Sequence, residues 1–424
     1  MKKKLVLLPL LSTLLISGCN LFNKSSSNSS STENSSSNNE KVETKLLISE
    51  YIEGSGEKNK AIEIYNFSDE EVDLSEYKIG HYRMEETPDS TVALSGKLKA
   101  KETYVVVADS SDSEELRSKA DFISKDLFFT GKGVVALLLK DQIVDSLGYL
   151  TYYNEYAVDV TLVRKVDYLS PRPSYDAYDW IKYAKDNYKY LGNVENSVTP
   201  EELLNGPCLD DKYFDLNAYP FYYNDGNALR GGGGAVKGAV KNNIDGDTSD
   251  LYVEGINPRD FMDNSSYYGT SSKGTWLRSR YYGVDTPESG GIGGIQEFGM
   301  MAKYYTAYIQ NNADTMYIQT VKGDSLLGNF GRLLGYIWAD KDTMVNYETI
   351  KAGYSVASFD THYDMMYKDL PYESYFYNAN LYARKNKLGR YGEKDPYWNY
   401  DANESYCEHF TCGNYFENGG SILG

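Results

Sequence analysis

The sequence predicts a mainly β protein with some helices, built from two folded parts that follow an export signal. Short apolar runs of about four to eight residues, separated by polar turns, begin after residue 44 and are typical of a β-sandwich. A second region, from about residue 217, combines strand-like runs with helical segments. The length of 424 residues and the hydrophobic share of 41% fit two or three globular domains.

The N-terminus has the pattern of a bacterial lipoprotein signal. Residues 2–4 are basic, residues 5–16 are apolar, and residues 16–19 read Ile-Ser-Gly-Cys, which resembles a lipobox. The apolar run is too short to span a bilayer comfortably. We therefore expect the signal at residues 1–19 to be cleaved before Cys19 and lipid to be attached to that thiol, which would anchor the protein at the extracellular face of the cell membrane. The alternative is an ordinary signal peptide with a chance cysteine.

Residues 20–43 are predicted to be a disordered tether. No apolar residue occurs between Asn23 and Lys41, where Ser and Asn dominate. Such a segment cannot bury enough apolar surface to fold. As a flexible coil it would span roughly 25 Å between the membrane and the folded parts.

Residues 44–194 are predicted to form the β-sandwich. The strand-like runs are residues 46–50, 61–66, 72–75, 103–108, 134–139 and 143–145. Ile48–Glu50, Glu63–Asn66 and Val72–Ser75 resemble lamin tail domains found in bacterial secreted proteins, as does the closing piece 161–192. This resemblance implies an immunoglobulin-like fold and a docking role toward an unidentified surface or matrix ligand.

Three acidic residues of this part allow two interpretations. Glu50, Glu63 and Asp73 could form a metal cluster, or they could be carboxylates at strand edges and turns. We favour the second interpretation, because charged side chains are normally exposed.

Residues 195–216 are interpreted as a linker between two separate cores. The stretch contains one helical segment, Pro200–Leu204, which Thr199 would cap. The tail at 399–424 has no clear structural prediction. Its Cys407 and Cys412 could form a small disulfide loop, whereas a zinc site with His409 would lack a fourth ligand.

The second folded part, 217–398, carries the residue types that phosphodiester hydrolysis requires. Ile244–Thr248 reads Ile-Asp-Gly-Asp-Thr, Arg280 stands five residues before Asp285 in a run that ends at Glu288, and Phe330–Tyr336 reads Phe-Gly-Arg-Leu-Leu-Gly-Tyr. Carboxylates are ligands for hard cations, and a carboxylate can also orient or deprotonate a water molecule. Arginines can neutralise the charge of a phosphoryl transition state. Together the motifs predict a nuclease.

These motifs, in this order, resemble the staphylococcal nuclease (thermonuclease) family. Met344–Asn346 and Ala352–Tyr354 follow where the family places a closing helix. The resemblance implies an OB-fold-like β-barrel with packed helices, a thermonuclease-like α+β fold. The segment between Thr248 and Arg280 is longer than in compact members, and we expect it to form an enlarged hairpin near the site.

The resemblance assigns a metal site to matching residues. Asp247 and Asp285 would be carboxylate ligands of one Ca²⁺ ion, with the carbonyl of Thr286 beside them.

It also assigns roles in the reaction. Glu288 would position or activate water, and Arg280 and Arg332 would clamp the phosphate. Phe330 and Phe359 could stack a base, but they could equally be core residues.

Composition excludes or weakens several other functional classes. The net charge of −18 argues against tight non-specific DNA binding, although not against transient contact at a local site. Only three histidines are present, which weakens the case for a nuclease built on paired histidines. No Gly-x-Ser-x-Gly elbow indicates a serine hydrolase.

The sequence therefore predicts a membrane-anchored extracellular calcium-dependent endonuclease acting on DNA, with RNA as a further candidate. One alternative is a catalytically inactive surface lipoprotein that binds nucleic acid or protein. Another is an adhesin in which the sandwich is the main functional part. The joint presence of both arginines and all three carboxylates favours the enzyme.

Overall fold

The computed structural model of the chain describes residues 43–424 except 84, 86, 150–155, 195–199, 210–217, 292, 359–364, 408–414 and 418–424. Cys19 thus lies outside the described residues. Within those residues, we find no helix with the length and apolar character needed to cross a membrane.

The first folded part is the predicted β-sandwich. Its elements are β1 (Leu46–Glu53), β2 (Lys60–Asn66), β3 (Val72–Asp73), β4 (Tyr77–Tyr82), β5 (Ser90–Ala93), β6 (Lys97–Leu98), β7 (Thr103–Ala108), α1 (Glu114–Ser118), β8 (Phe122–Ser124), β9 (Val134–Leu139), β10 (Gln142–Gly148), β11 (Val160–Arg164) and β12 (Trp180–Ala184). A six-stranded sheet, in the order β12-β11-β1-β2-β7-β8, faces a four-stranded sheet, β10-β9-β4-β5. Apolar side chains of both sheets, such as Ile62 and Leu137, fill the space between them.

Two of the three acidic residues of the sandwich are buried, so our expectation that all three are exposed was wrong. Asp73 is exposed and accepts a hydrogen bond from the Ser75 backbone N–H at 2.9 Å, as a turn carboxylate does. Glu50 and Glu63 lie opposite each other on β1 and β2, and both are buried. The reason is that the chain around Gly192 covers this face of the sheet, and the Gly192 N–H donates to the Glu63 carboxylate.

The second folded part is a β-barrel with packed helices, as predicted. Its elements are α2 (Pro200–Asn205), β13 (Tyr222–Asn224), β14 (Leu229–Gly231), β15 (Ala235–Asp245), β16 (Thr248–Val253), β17 (Tyr268–Ser271), β18 (Gly274–Tyr281), β19 (Val284–Asp285), α3 (Gly299–Asn311), β20 (Met316–Thr320), β21 (Leu333–Ala339), β22 (Thr343–Met344), α4 (Val345–Lys351), β23 (Val356–Ala357), β24 (Met366–Tyr367), β25 (Leu370–Pro371), α5 (Tyr372–Lys385), β26 (Trp398–Asn399) and β27 (Glu404–Ser405). The main sheet has the order β17-β18-β16-β15-β20-β21-β22, and a parallel pairing of β18 with β21 closes it into a barrel. The expected enlarged hairpin is present, with β17 as an additional strand beside β18.

The two folded parts share one hydrophobic cluster, whereas the sequence led us to expect separate cores. Ile181 and Tyr183 of β12 belong to the same buried cluster as Tyr375 and Phe376 of α5. Helix α5 packs directly against β12. Local sequence patterns do not reveal such a contact, because its partners are almost 200 residues apart along the chain.

Part of the C-terminal tail also packs onto the barrel. The ring of Phe416 lies 5.2 Å from that of Tyr305 on α3 and 6.1 Å from that of Tyr354, between centroids. Cys407 is disulfide-bonded and Cys208 is free, while Cys412 lies outside the described residues.

Candidate active site

The site is built around the turn that joins β15 to β16. Gly246 stands at the centre of this turn, and a Cβ atom there would lie 2.7 Å from Cβ of Ala302 and 2.8 Å from Oγ1 of Thr286. Only glycine therefore lets α3 and Thr286 approach the turn so closely. This close approach brings the carboxylates on either side of Gly246 against the rest of the site.

Asp247 is held rigidly by neighbouring donors. One carboxylate oxygen accepts from the backbone N–H and the hydroxyl of Thr286, at 3.1 and 3.0 Å. The other accepts from the Thr248 hydroxyl at 3.0 Å. Asp247 is only 3% exposed, so its charge requires the compensation that these bonds and a nearby cation provide.

Arg280, at the end of β18, supplies that cation and joins the two predicted metal-binding carboxylates. Its guanidinium forms an ion pair with Asp247 and another with Asp285, the latter at 3.0 Å. It also donates to the carbonyl oxygen of Val284 at 3.2 Å. Both carboxylates thus face one positive centre.

Asp285 and Thr286 are positioned by a short strand pairing. The backbone N–H of Asp285 donates to the Ser355 hydroxyl, and that hydroxyl lies 3.0 Å from the Asp285 carbonyl oxygen. Strand β19 pairs with β23 at the same place. The Asp285 side chain is largely exposed, whereas Thr286 is buried.

Glu288 is exposed, but its backbone is fixed. Its N–H donates to the Gln296 side chain at 3.0 Å, and its carbonyl oxygen accepts from the Gln296 N–H at 2.8 Å. The Glu288 side chain also interacts with Asp245. The predicted water-activating carboxylate therefore lies within the same group of acidic residues as the turn.

Asp245 is a site residue to which the sequence motifs gave no role. Burial, and next the charge of Asp247, raise the pKa of Asp245 to about 7, and its hydrogen bond with Glu288 acts in the same direction. Burial lowers the pKa of Lys303 on α3, and nearby Asp245 opposes that shift. Asp245 stands two residues before Asp247 in the Ile-Asp-Gly-Asp-Thr motif, and this position could have indicated that Asp245 belongs to the site.

Arg332 approaches the same centre from the segment before β21. Its guanidinium donates to the Thr248 hydroxyl at 3.3 Å. Burial lowers the pKa of Arg332, and the neighbouring charge of Arg280 adds to this effect. The structure therefore brings together both predicted arginines, the predicted carboxylates and Thr286.

The structure describes one of the two phenylalanines that are predicted to stack a base. Phe330 is 72% exposed, and its ring centre lies 5.6 Å from Cζ of Arg332, so it is not a core residue. Phe359 lies outside the described residues.

A cavity of about 370 Å³ opens beside these residues. It is lined by Asp285, Thr286, Pro287, Gln296, Glu297, Phe298 and Arg390. Of the site residues named above, Asp285 and Thr286 line this cavity.

The donor set suits a hard cation. Asp247 and Asp285 converge on one positive group, and the nearby ligand atoms are oxygens, which Ca²⁺ prefers. Across the described part of the chain, no three or more His, Cys, Asp or Glu side chains form a group that could hold a metal ion. A bound ion would therefore need backbone carbonyl and water oxygens as well as these two carboxylates.

Comparison with protein families agrees with the predicted order of parts. Residues 39–151 match the family described as Lamin Tail Domain, and residues 278–391 match Staphylococcal nuclease homologue. The second match contains the two arginines, Asp285 and Glu288, whereas Asp247 precedes it. A search of curated proteins found no match. The chain thus carries a lamin tail domain followed by a staphylococcal nuclease domain.

Proposed function

We propose that the chain is a calcium-dependent endonuclease that hydrolyses phosphodiester bonds of DNA, with RNA as a second candidate substrate. The match to the staphylococcal nuclease family indicates a nuclease-type function. One observation carries the more specific proposal: Arg280 contacts both Asp247 and Asp285, and Arg332 reaches the same centre through Thr248.

The arginines would bind the reacting phosphate. A planar guanidinium matches two phosphate oxygens better than an ammonium does. Arg280 pairs with Thr248 across the sheet, and Arg332 donates to the Thr248 hydroxyl. Both forks would therefore contact one phosphate and neutralise its charge in the transition state.

Glu288 would orient the attacking water and accept its proton. Its carboxylate is exposed to solvent while its backbone is held by Gln296, which suits a group that must meet a water molecule in a fixed place. By analogy with the family, the 5′ oxygen of the next nucleotide leaves.

Asp247, Asp285 and the carbonyl of Thr286 would hold Ca²⁺. When bound, the ion would polarise the phosphoryl oxygen and neutralise part of its charge. Thr286 already holds Asp247, whereas Arg280, which pairs with both carboxylates, would turn from them to the phosphate when the ion binds.

A plasmid assay tests this proposal. Residues 20–424 should cleave plasmid DNA in calcium, lose activity with chelator and regain it when calcium is restored. Glu288→Gln should be defective, while Glu254→Gln, a change at another exposed carboxylate, serves as the matched control. Full activity with zinc but none with calcium would contradict the proposed site.

We further propose that Cys19 carries a lipid that anchors the enzyme at the extracellular face of the membrane. The sequence pattern Ile-Ser-Gly-Cys supports this proposal. Labelled fatty acid should be incorporated into the wild type and not into Cys19→Ala. Equal incorporation by both proteins would contradict it.

A further inference from the structure

A cavity of about 570 Å³ opens at one end of the β-sandwich. Glu53, the last residue of β1, pairs with Lys60, the first residue of β2. Val160, the first residue of β11, pairs with Ala184, the last residue of β12. Since β1 and β11 are antiparallel neighbours, these strand ends lie at the same end of the sheet. Loops at one end of an immunoglobulin-like sandwich are common places for a binding site, and the volume is within the range of small-molecule sites.

A buried ion pair lines the cavity. Lys60 Nζ lies 3.0 Å from Oε1 of Glu53, and the two side chains are 3% and 7% exposed. An ammonium group has three donors and a carboxylate can accept several hydrogen bonds, so this pair can also bond a third group. Thr130 lines the cavity as well, and its buried hydroxyl has no hydrogen-bond partner among the described residues. Because a buried hydroxyl without a partner costs free energy, a ligand that bonds this hydroxyl would be favoured.

Part of the cavity wall is apolar and exposed. Phe128 and Val158 line the cavity and are 50% and 36% exposed, although large apolar side chains are more often buried. The rings of Phe128 and His81 lie 5.9 Å apart between centroids and at 78° to each other, so His81 supports the Phe128 ring. The exposed half of Phe128 therefore offers an apolar surface on which a ligand can lie.

The charges around the cavity limit the class of ligand. Lys185 and Asp159 form an ion pair at 3.2 Å, so both carboxylates that line the cavity have a lysine partner. An anion would lie against these carboxylates, and a cation would lie against the lysines. An entirely apolar ligand would cover charged groups without bonding them. Hydroxyl groups both donate and accept, so a neutral ligand with several hydroxyl groups matches the donors and acceptors of the cavity.

We propose that this cavity binds a neutral saccharide. Hydroxyl groups of the sugar would bond to Lys60, Glu53 and Thr130. The C–H face of a sugar ring would lie on Phe128, because the negative face of an aromatic ring attracts polarised C–H groups. None of the residues that line the cavity belongs to the candidate active site, so the sandwich would bind a glycan whether or not the barrel cleaves nucleic acid. Saccharide binding would supply the docking role that is expected of the sandwich.

An array of immobilised oligosaccharides, with neutral and acidic members, tests this proposal with fluorescently labelled residues 20–424. Neutral members should bind, and the neutral member that binds most strongly would then be titrated into wild type and variants by isothermal titration calorimetry. Phe128→Ala should weaken binding about tenfold or more, whereas Phe128→Tyr keeps the ring and should bind nearly as well as the wild type. Thr130→Val removes only the hydroxyl and should weaken binding about threefold to tenfold.

A matched control and a second variant keep the test decisive. Ile123→Ala truncates another partly exposed apolar residue of the same sandwich and should bind the oligosaccharide as the wild type does. Circular dichroism would show that each variant is folded, and Thr130→Val carries the test if Phe128→Ala is not. Three results would each overturn the proposal: no binding to any neutral oligosaccharide, binding only to acidic members that is lost at high salt, or equal affinities of wild type and the folded variants.

Discussion

A nuclease fragment that lacks the sandwich should be strongly destabilised. The sequence led us to expect that a fragment from Gly206 to Gly424 folds and cleaves DNA by itself, but the shared hydrophobic cluster predicts the opposite. Val163, Ile181, Tyr183 and Tyr190 of the first part are at most 4% exposed within the cluster that contains the barrel core.

The size of this destabilisation can be worked out from the buried side chains. Removing the sandwich uncovers barrel side chains of the same cluster, among them Tyr375 and Phe376 of α5. Burying one large apolar side chain contributes about 1.5–3 kcal/mol, so uncovering these two would cost roughly 3–6 kcal/mol as an upper estimate. That range is a large part of the free energy of unfolding of a typical domain, about 5–15 kcal/mol. The Lys189–Asp369 ion pair between the two parts adds little, because both side chains are exposed.

Urea denaturation and calorimetry of two proteins, 44–424 and 200–424, test this prediction, and the fragment begins at residue 200 so that it keeps α2. The longer protein should unfold in one cooperative transition, and the fragment should unfold at a much lower urea concentration or be unfolded without urea. Ile181→Ala in the longer protein should cost about 2–5 kcal/mol, whereas Ile123→Ala, at a partly exposed position of β8, should change stability by about 0.5 kcal/mol or less. If the fragment has the unfolding midpoint and DNA cleavage rate of the longer protein, the shared cluster does not stabilise the barrel.

Three further predictions concern single residues. Replacing Arg280 or Arg332 with Lys keeps the charge but removes the planar fork, so kcat on oligonucleotide should fall about a hundredfold or more; near-normal kcat in both variants would place the chemistry elsewhere. Glu288→Gln should lower kcat much more than it weakens substrate binding, and an equal loss in both would argue against a role with water. Burial raises the pKa of Glu63 from 4.5 to about 7, so the folded state holds this proton more tightly than the unfolded state does. The resulting stabilisation is complete below pH 4.5 and is lost as pH rises through 7. Urea denaturation in chelator should therefore show wild type losing stability relative to Glu63→Gln between these pH values, and parallel pH profiles would contradict this.

The strands and the main site residues could be predicted because their signals are local. The strand β9, for example, is a continuous apolar run, and Asp247 and Arg280 stand in short motifs with fixed spacing. The turn at Gly246 and the strand pairing of β16 with β18 then bring those motifs together.

The features that the sequence did not reveal depend on contacts between distant segments. Glu50 and Glu63 look like ordinary polar positions of strands, and only the covering chain near Gly192 buries them. The shared cluster joins Ile181 to Phe376 in the same way. No periodicity within either segment shows which other segment will cover it.

The proposed function requires above all that the centre formed by the carboxylates and the arginines hydrolyses phosphodiester bonds with calcium. It is tested by the single-turnover cleavage rate of one defined phosphodiester by residues 20–424 and by Arg332→Lys, in calcium and in chelator. We expect cleavage by the wild type in calcium only, with a rate about a hundredfold or more above that of Arg332→Lys. Equal rates for the two proteins, or cleavage that persists in chelator, would contradict the proposed function.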